Sequence, residues 1–238
     1  MTARRVILGT TSFADAEATL ALAAGLAAAS GAELQGLLIE DETLLAIGAA
    51  PGASLVDLAG RTVAPDSGAR MRAAFERDAA RFERVLRAAA GPAALAWSFS
   101  RRRGRVAALL TDSAAPGDLM VVPTGPVRAR VREIVLLGSA ADDPYLAAAA
   151  RATAARLERP MRAILPPGAA PTPDDPTARP TDPAALLRLL DRLGPGSVLF
   201  AELTAPGVAL AELLQRTRCT HVLRATGAGT SRGAAPTS

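Results

Sequence analysis

The hydrophobic positions of this chain fall into two alternating signatures. Short β-branched or Leu-rich runs alternate with longer Ala/Leu segments at helical spacing. Val6–Leu8 reads as a strand and Asp15–Ser30 as a helix, with Gly31 as its stop. Glu33–Ile39, "ELQGLLI", is a second strand, followed by a short helical stretch "TLLAIGA" and an irregular segment from Pro51 to Gly68. Arg70–Ala90 places Phe75, Phe82, Val85 and Leu86 near one face of a long helix. A third strand, Leu95–Phe99, a helix, Val106–Ser113, and a continuously apolar fourth strand, Asp118–Val122, follow.

The pattern then restarts. Glu133–Leu137 is strand-like, Pro144–Leu157 helical and Met161–Leu165 strand-like. Residues 166–182 are Pro-rich and read as a loop. Ala184–Leu193 is helical behind an Asp182 cap and Pro183. Ser197–Ala201, Val208–Arg216 and Thr220–Leu223 complete a strand–helix–strand series, and the tail 227–238 has the composition of a disordered segment. Strict alternation of strand and helix predicts an α/β fold: tandem Rossmann-like, doubly wound parallel sheets with helices on both faces. The two halves, 1–127 and 128–226, open alike, with "VILGTTSFAD" echoed by "VLLGSAADDP".

Composition narrows the classes. Aromatic residues are 3% of the chain, so Ala, Leu and Val must build the core. The net charge is +4, and all 27 basic residues are Arg. Basic and acidic residues are interspersed and few aromatics are present to stack on bases, which argues against a nucleic-acid partner. One cysteine, Cys219, rules out an internal disulfide and suits a reducing cytoplasm. The longest apolar run, Leu20–Ala29, falls well short of the roughly 20 residues of a membrane span. A soluble, cytoplasmic protein is expected.

Several residues could carry chemistry. Gly9, Thr10, Thr11 and Ser12 follow the first strand, where open α/β sheets bind ligands. Capping of the next helix is the simpler role for these hydroxyls. If a ligand binds, Thr10, Thr11, Thr124 and Gly125 are its expected contacts, with Gly138, Ser139 and Thr204 as counterparts in the second half. Arg101, Arg102, Arg103 and Arg105 form the densest basic cluster, expected at a strand end where it could meet an anion or an acidic partner. Glu40, Asp41 and Glu42, like Asp142 and Asp143 before Pro144, read as helix starts rather than a metal site. Cys219 and His221 share one face of the last strand, but a buried strand without an orienting acid argues against a nucleophile–base pair. Ser98 and Ser113 lie in no nucleophile-elbow context, and Trp97 is expected to pack in the core. No catalytic constellation and no metal site is expected.

The stretch "VILGTTSFADAEATLALAAGLAAASGAELQGLLIED" resembles the opening of the universal stress protein family. "IEDETLLAIGAAPG", "WSFSRRRGRVAALL" and "GDLMVVP" resemble a proteobacterial subgroup, and "LLQRTRCTHVLRA" is similar to the family's closing helix and strand. The resemblance spans roughly residues 4 to 225. It implies an adenine nucleotide alpha hydrolase-like fold, a homodimer or protein partner, and ATP or AMP as a ligand. The family's nucleotide binders carry an Asp at the end of strand one and a glycine-rich loop after strand four. Here the Asp position falls on Thr10 or Thr11 (Leu137 in the second half), and only Thr124, Gly125 and Pro126 follow the fourth strand. Without converging backbone amides a triphosphate has little to hold it. The expectation is a regulatory or interaction module of a bacterial stress response, non-enzymatic and without ordinary ATP binding. The alternative is an adenine-nucleotide-binding stress protein using the first-half crevice.

Overall fold

A computed structural model describes residues 3–42, 55–56, 62–63, 67–124, 130–138, 143–167, 181–204 and 208–226. The expected "TLLAIGA" helix, most of the Pro-rich loop, the tail, Gly125, Ser139 and Asp142 lie outside these residues.

The chain is an α/β protein. Strands β1 (Arg5–Thr10), β2 (Glu33–Asp41), β5 (Trp97–Gly104) and β6 (Leu119–Pro123) are followed by β7 (Glu133–Leu137), β8 (Met161–Ile164), β9 (Ser197–Glu202) and β10 (Thr220–Arg224). They form one eight-stranded sheet in the order β5-β2-β1-β6-β10-β9-β7-β8. A separate pair, β3 (Leu55–Val56) and β4 (Thr62–Val63), is antiparallel. The helices are α1 (Phe13–Ser30), α2 (Ser67–Ala90), α3 (Val106–Ser113), α4 (Pro144–Leu157), α5 (Pro183–Leu190) and α6 (Leu210–Arg216).

Period-two alternation sends strand side chains to opposite faces. Val6, Leu8, Leu34 and Leu38 join α1, α2 and α4 in one core. Ile7, Leu37 and Ile39 join α3, α5 and α6 in the other. The sheet is therefore covered on both sides, as the alternation of elements requires. The small side chains of α1 permit close packing: Ala16, Ala23 and Ala27 are fully buried. At Gly9 a Cβ would stand 2.7 Å from Leu110 Cδ2, so glycine lets α3 approach β1. At Gly31 a left-handed φ of 62° closes α1, its N–H bonding back to the last turn.

Within the series β5-β2-β1-β6 all neighbours are parallel, and so are those within β10-β9-β7-β8. The two series meet at β6 and β10, which are antiparallel from Thr220↔Pro123 to Arg224↔Leu119. This seam replaces two separate sheets with one, and supplies the outer edge of β6 with a partner. It also reverses direction. The carboxyl ends of the first four main-sheet strands emerge at one edge of the sheet, and those of the last four at the opposite edge.

Two expectations need correction. The third main-sheet strand is longer than "LAWSF": it runs through Arg101–Arg103, which pair with Leu38, Ile39 and Glu40. The arginines are strand residues, kept in register by main-chain pairing and by ion pairs of Arg101 with Glu40 and Glu76, both 2.7 Å. Glu40 and Asp41 likewise end β2, and of the three expected helix-start acids Glu42 alone is helical, directly after the strand. Asp143 and Asp182 do cap α4 and α5, accepting from Leu146 N–H at 2.9 Å and Ala185 N–H at 2.7 Å. Trp97 packs half-buried against the first core, with the Arg87 guanidinium 5.2 Å from its ring centroid.

Separating the halves near Val127 exposes the apolar seam residues Met120, Val122, Val222 and Leu223, which are buried in the whole chain. We expect fragments 1–127 and 128–238 to show no cooperative thermal transition alone, measured by circular dichroism, and to regain one on mixing. Cooperative unfolding of both isolated fragments would show that the seam is dispensable.

Candidate functional site

The turn after β1 sits at the point where the strand order reverses, between β1 and β6. Open α/β sheets leave a crevice at such a point, outside the strand carboxyl ends. Here it is a cleft of about 500 Å³. Gly9, Thr10 and Thr11 line it from β1 and its turn, and Val122, Pro123 and Thr124 from β6. Asp15 of α1 and Asp41 of β2 bring two carboxylates. Arg105 and the first turn of α3, Val106–Ala108, line it from the other face of the sheet. Ala211, Leu214 and Gln215 of α6 complete it, so the second half furnishes a wall of the first half's crevice.

Four of the sequence-predicted contacts, Gly9, Thr10, Thr11 and Thr124, thus come together. Two of their hydroxyls are already engaged. Thr10 Oγ1 donates to the Ser12 carbonyl at 2.9 Å and accepts from the Ser12 N–H at 3.2 Å, which fixes the turn. Thr124 Oγ1 donates to the carbonyls of Cys219 at 2.9 Å and Thr217 at 3.0 Å, which fastens β6 to the connection between α6 and β10. Ser12 is the N-cap of α1 and does not line the cleft. Its Oγ accepts from Asp15 N–H at 3.3 Å and donates to Asp15 Oδ2 at 2.7 Å. This reciprocal arrangement is the helix cap that the residue types suggested.

Gly138 ends β7 with φ 130°, its N–H bonded to the Ile164 carbonyl at 3.0 Å. It and Thr204 stand at the opposite edge of the sheet from Gly9, because β10 runs against β6. The arginine cluster divides as well. Arg101 is held by Glu40 and Glu76, Arg102 donates to Ser113 Oγ at 3.3 Å, and Arg103 lies 3.9 Å from Glu42. Arg105 alone of the four lines the cleft.

The residues missed in the sequence are Asp15, Asp41, Val106–Ala108 and the α6 wall. One signal was available for the first turn of α3. Arg105 occupies an N-cap position without a side-chain cap, and no acidic residue follows in that turn. Such positions favour Ser, Thr, Asp or Asn, and a positive charge opposes the helix dipole.

Cys219 and His221 are buried side by side. His221 Nε2 lies 2.6 Å from Thr217 Oγ1 and 3.8 Å from Cys219 Sγ, and Nδ1 lies 3.2 Å from the Val122 carbonyl. Burial lowers the imidazole to about 4 and pushes the thiol up to about 12. The neutral ring can donate from Nδ1 to the Val122 carbonyl, making it a cross-seam tie. Among the described residues no group of three or more His, Cys, Asp or Glu could hold a metal ion, and no helix is long and apolar enough to cross a membrane. Comparison with known proteins finds no matching family model and no matching curated protein.

The His221 tie makes stability acid-sensitive. The unfolded ring titrates near its ordinary 6.5 and the folded ring near 4. Between these values only the unfolded chain takes up the proton, so stability falls as pH drops through that window. The His221 contribution to the fall is about 3 kcal/mol. Urea unfolding at pH 7.5 and pH 4 should show this loss in the wild type and not in His221→Leu, so that the stability difference between the two proteins changes with pH. Equal pH dependence of the two proteins would contradict it.

Proposed function

We propose that this chain is a regulatory module of the universal-stress-protein type, non-enzymatic, in which a small ligand occupying the switch-point cleft alters how the two halves meet. The observation that carries this reading is the composition of the cleft wall. β1, β2, α1, α3 and β6 come from the first half and α6 from the second. A ligand seated there touches both and can act only through its different affinity for their arrangements. The resemblance over residues 4 to 225 supports placing the protein in a bacterial stress response, in the cytoplasm, acting on a protein partner or a second copy of itself.

A non-enzymatic role is supported by how the nucleophilic groups are used. Cys219 is buried as a neutral thiol, and His221 is committed to a threonine hydroxyl and a main-chain carbonyl. Ordinary ATP binding is disfavoured by the short segment after β6 and by the two carboxylates in the cleft. The adenine-nucleotide reading draws support from one observation, the uncapped start of α3 beside Arg105.

The small-molecule fraction of a bacterial extract should raise the thermal unfolding midpoint of the wild type by several degrees. It should leave Ala211→Trp, which fills the cleft from an exposed helix position, unmoved. Saturating ATP or AMP should stabilise by less than about 1 kcal/mol, or roughly 2–4 °C for a domain of this size. No response of the wild type to the extract would overturn the ligand-site reading, and a larger nucleotide effect would favour the nucleotide alternative.

A further inference from the structure

A surface outside the cleft, the outer edge of β5, has a chemistry of its own. β5 is the outermost strand of the sheet, and among the described residues it pairs on one side alone, with β2. An open edge of eight residues is a template for another strand.

One bond fixes which main-chain groups face outward. The Ala96 carbonyl accepts from Leu34 N–H at 2.9 Å, on the β2 side. Main-chain groups alternate sides along a strand, so those of Ser98, Ser100 and Arg102 also face β2. The N–H and C=O groups of Trp97, Phe99, Arg101 and Arg103 face away from the sheet.

Edges that must stay single are blunted by short length, proline, bulges or unpaired charge. β5 carries no proline and is twice as long as β8, the opposite edge, with its four residues. Its arginines are a weak barrier, because acids of the same chain already answer two of them. Arg101 pairs with Glu40 and Glu76 at 2.7 Å, and Arg103 lies 3.9 Å from Glu42. Arg101–Arg103 are exposed and Trp97–Ser100 half-buried, so a partner can reach the whole strand.

The order of side chains along β5 complements itself. Two copies of a strand joined about a two-fold axis run antiparallel, with opposed residues on the same face. With the axis at Ser100, Trp97 opposes Arg103 of the second copy and Phe99 opposes Arg101. These residues lie on the α2 face, where Phe99 meets Phe82, and each pair sets a guanidinium against an aromatic ring. On the other face Ser98 opposes Arg102, and Ser100 opposes its own copy. No arginine opposes an arginine. An axis at Arg101 would set Arg101 against itself, and like charges directly opposed destabilise a sheet. An axis at Phe99 would place Arg102 and Arg103 opposite Ala96 and Leu95, beyond the end of β5. In the Ser100 register the outward main-chain groups of Trp97 and Phe99 meet those of Arg103 and Arg101, so backbone and side chains select the same pairing.

We infer that this chain forms a two-fold dimer in which β5 pairs antiparallel with β5 of a second copy, centred on Ser100. Two eight-stranded sheets thereby become one continuous sheet. The pairing closes the longer of the sheet's two open edges. It gives the second copy proposed above a definite surface, and it requires no ligand in the cleft.

Sedimentation velocity on the full chain over a concentration series tests this. The wild type should reach twice the chain mass and grow no further. Arg103→Pro removes an outward N–H and no bond to β2. It should stay folded by circular dichroism and weaken the dimer roughly tenfold or more. Ser100→Cys sets two thiols opposite each other on the axis, at a spacing a disulfide spans. Mild oxidation should give a covalent dimer from Ser100→Cys and far less from the more exposed Arg102→Cys, Cys219 being buried. If Arg103→Pro does not fold, the cross-linking contrast decides alone. A wild type that stays monomeric throughout, growth beyond a dimer, or equal cross-linking of the two cysteine variants would overturn the inference. So would a dimer that folded Arg103→Pro leaves unchanged. None of these outcomes bears on the cleft, whose test is stabilisation by the extract.

Discussion

The antiparallel pairing of β6 with β10 is the contact on which the rest of this molecule depends. A strand edge with unpaired amides and carbonyls is costly to bury and hazardous to leave open. β6 lies at the end of a parallel series and β10 at the end of another, and each covers the other's edge. The join is reinforced from the side chains. Thr124 reaches the carbonyls of Thr217 and Cys219, and His221 reaches the carbonyl of Val122. Cys219, Val222, Leu223, Met120 and Val122 are buried alongside it. Secondary structure, core and cleft all meet at this line.

The direction of that pairing fixes the character of the cleft. Because the second series runs against the first, the amino end of β10 stands at the carboxyl end of β6. The helix leading into β10, α6, is thereby carried over the first half's switch point. A parallel junction would have brought the β9 and β7 carboxyl ends, with Gly138, to the same edge of the sheet as Gly9. Instead the turn built on Gly9–Ser12 faces Leu214 and Gln215 from a helix about 200 residues further along the chain. The turn itself serves partly as scaffold, since Thr10 and Ser12 spend their hydroxyls on the backbone and on the cap of α1.

Charge in the molecule follows the same division between structure and cleft. Arg5 at the opposite end of β1 is tied to buried Asp118 and to Gln35, closing the base of β1, β2 and β6. Arg101 and Arg103 answer acids of neighbouring elements along the β5 edge. Arg105, two residues further, answers none of the described acids and instead stands where α3 opens onto the cleft. Consecutive arginines that look equivalent in the sequence therefore take different roles, because strand register sends the first three along β2 and a turn at Gly104, with φ 152°, redirects the fourth.

The sequence by itself determined the α/β class, most element positions, the two-faced core and the helix caps at Ser12, Asp143 and Asp182. These rest on local periodicity and on hydrogen bonds spanning three residues, which a short stretch encodes in full. It also brought Gly9, Thr10, Thr11 and Thr124 forward, since a switch point follows from strand order in an open sheet. Only the tertiary structure decided that the two series form one sheet, that β5 extends through its arginines, and that α6 walls the cleft. Asp15, Asp41 and Ala211 gave no local sign of sharing a site. Edge pairing between β6 and β10 depends on which free edges meet across about a hundred residues, and main-chain hydrogen bonds carry no side-chain signature of their partner.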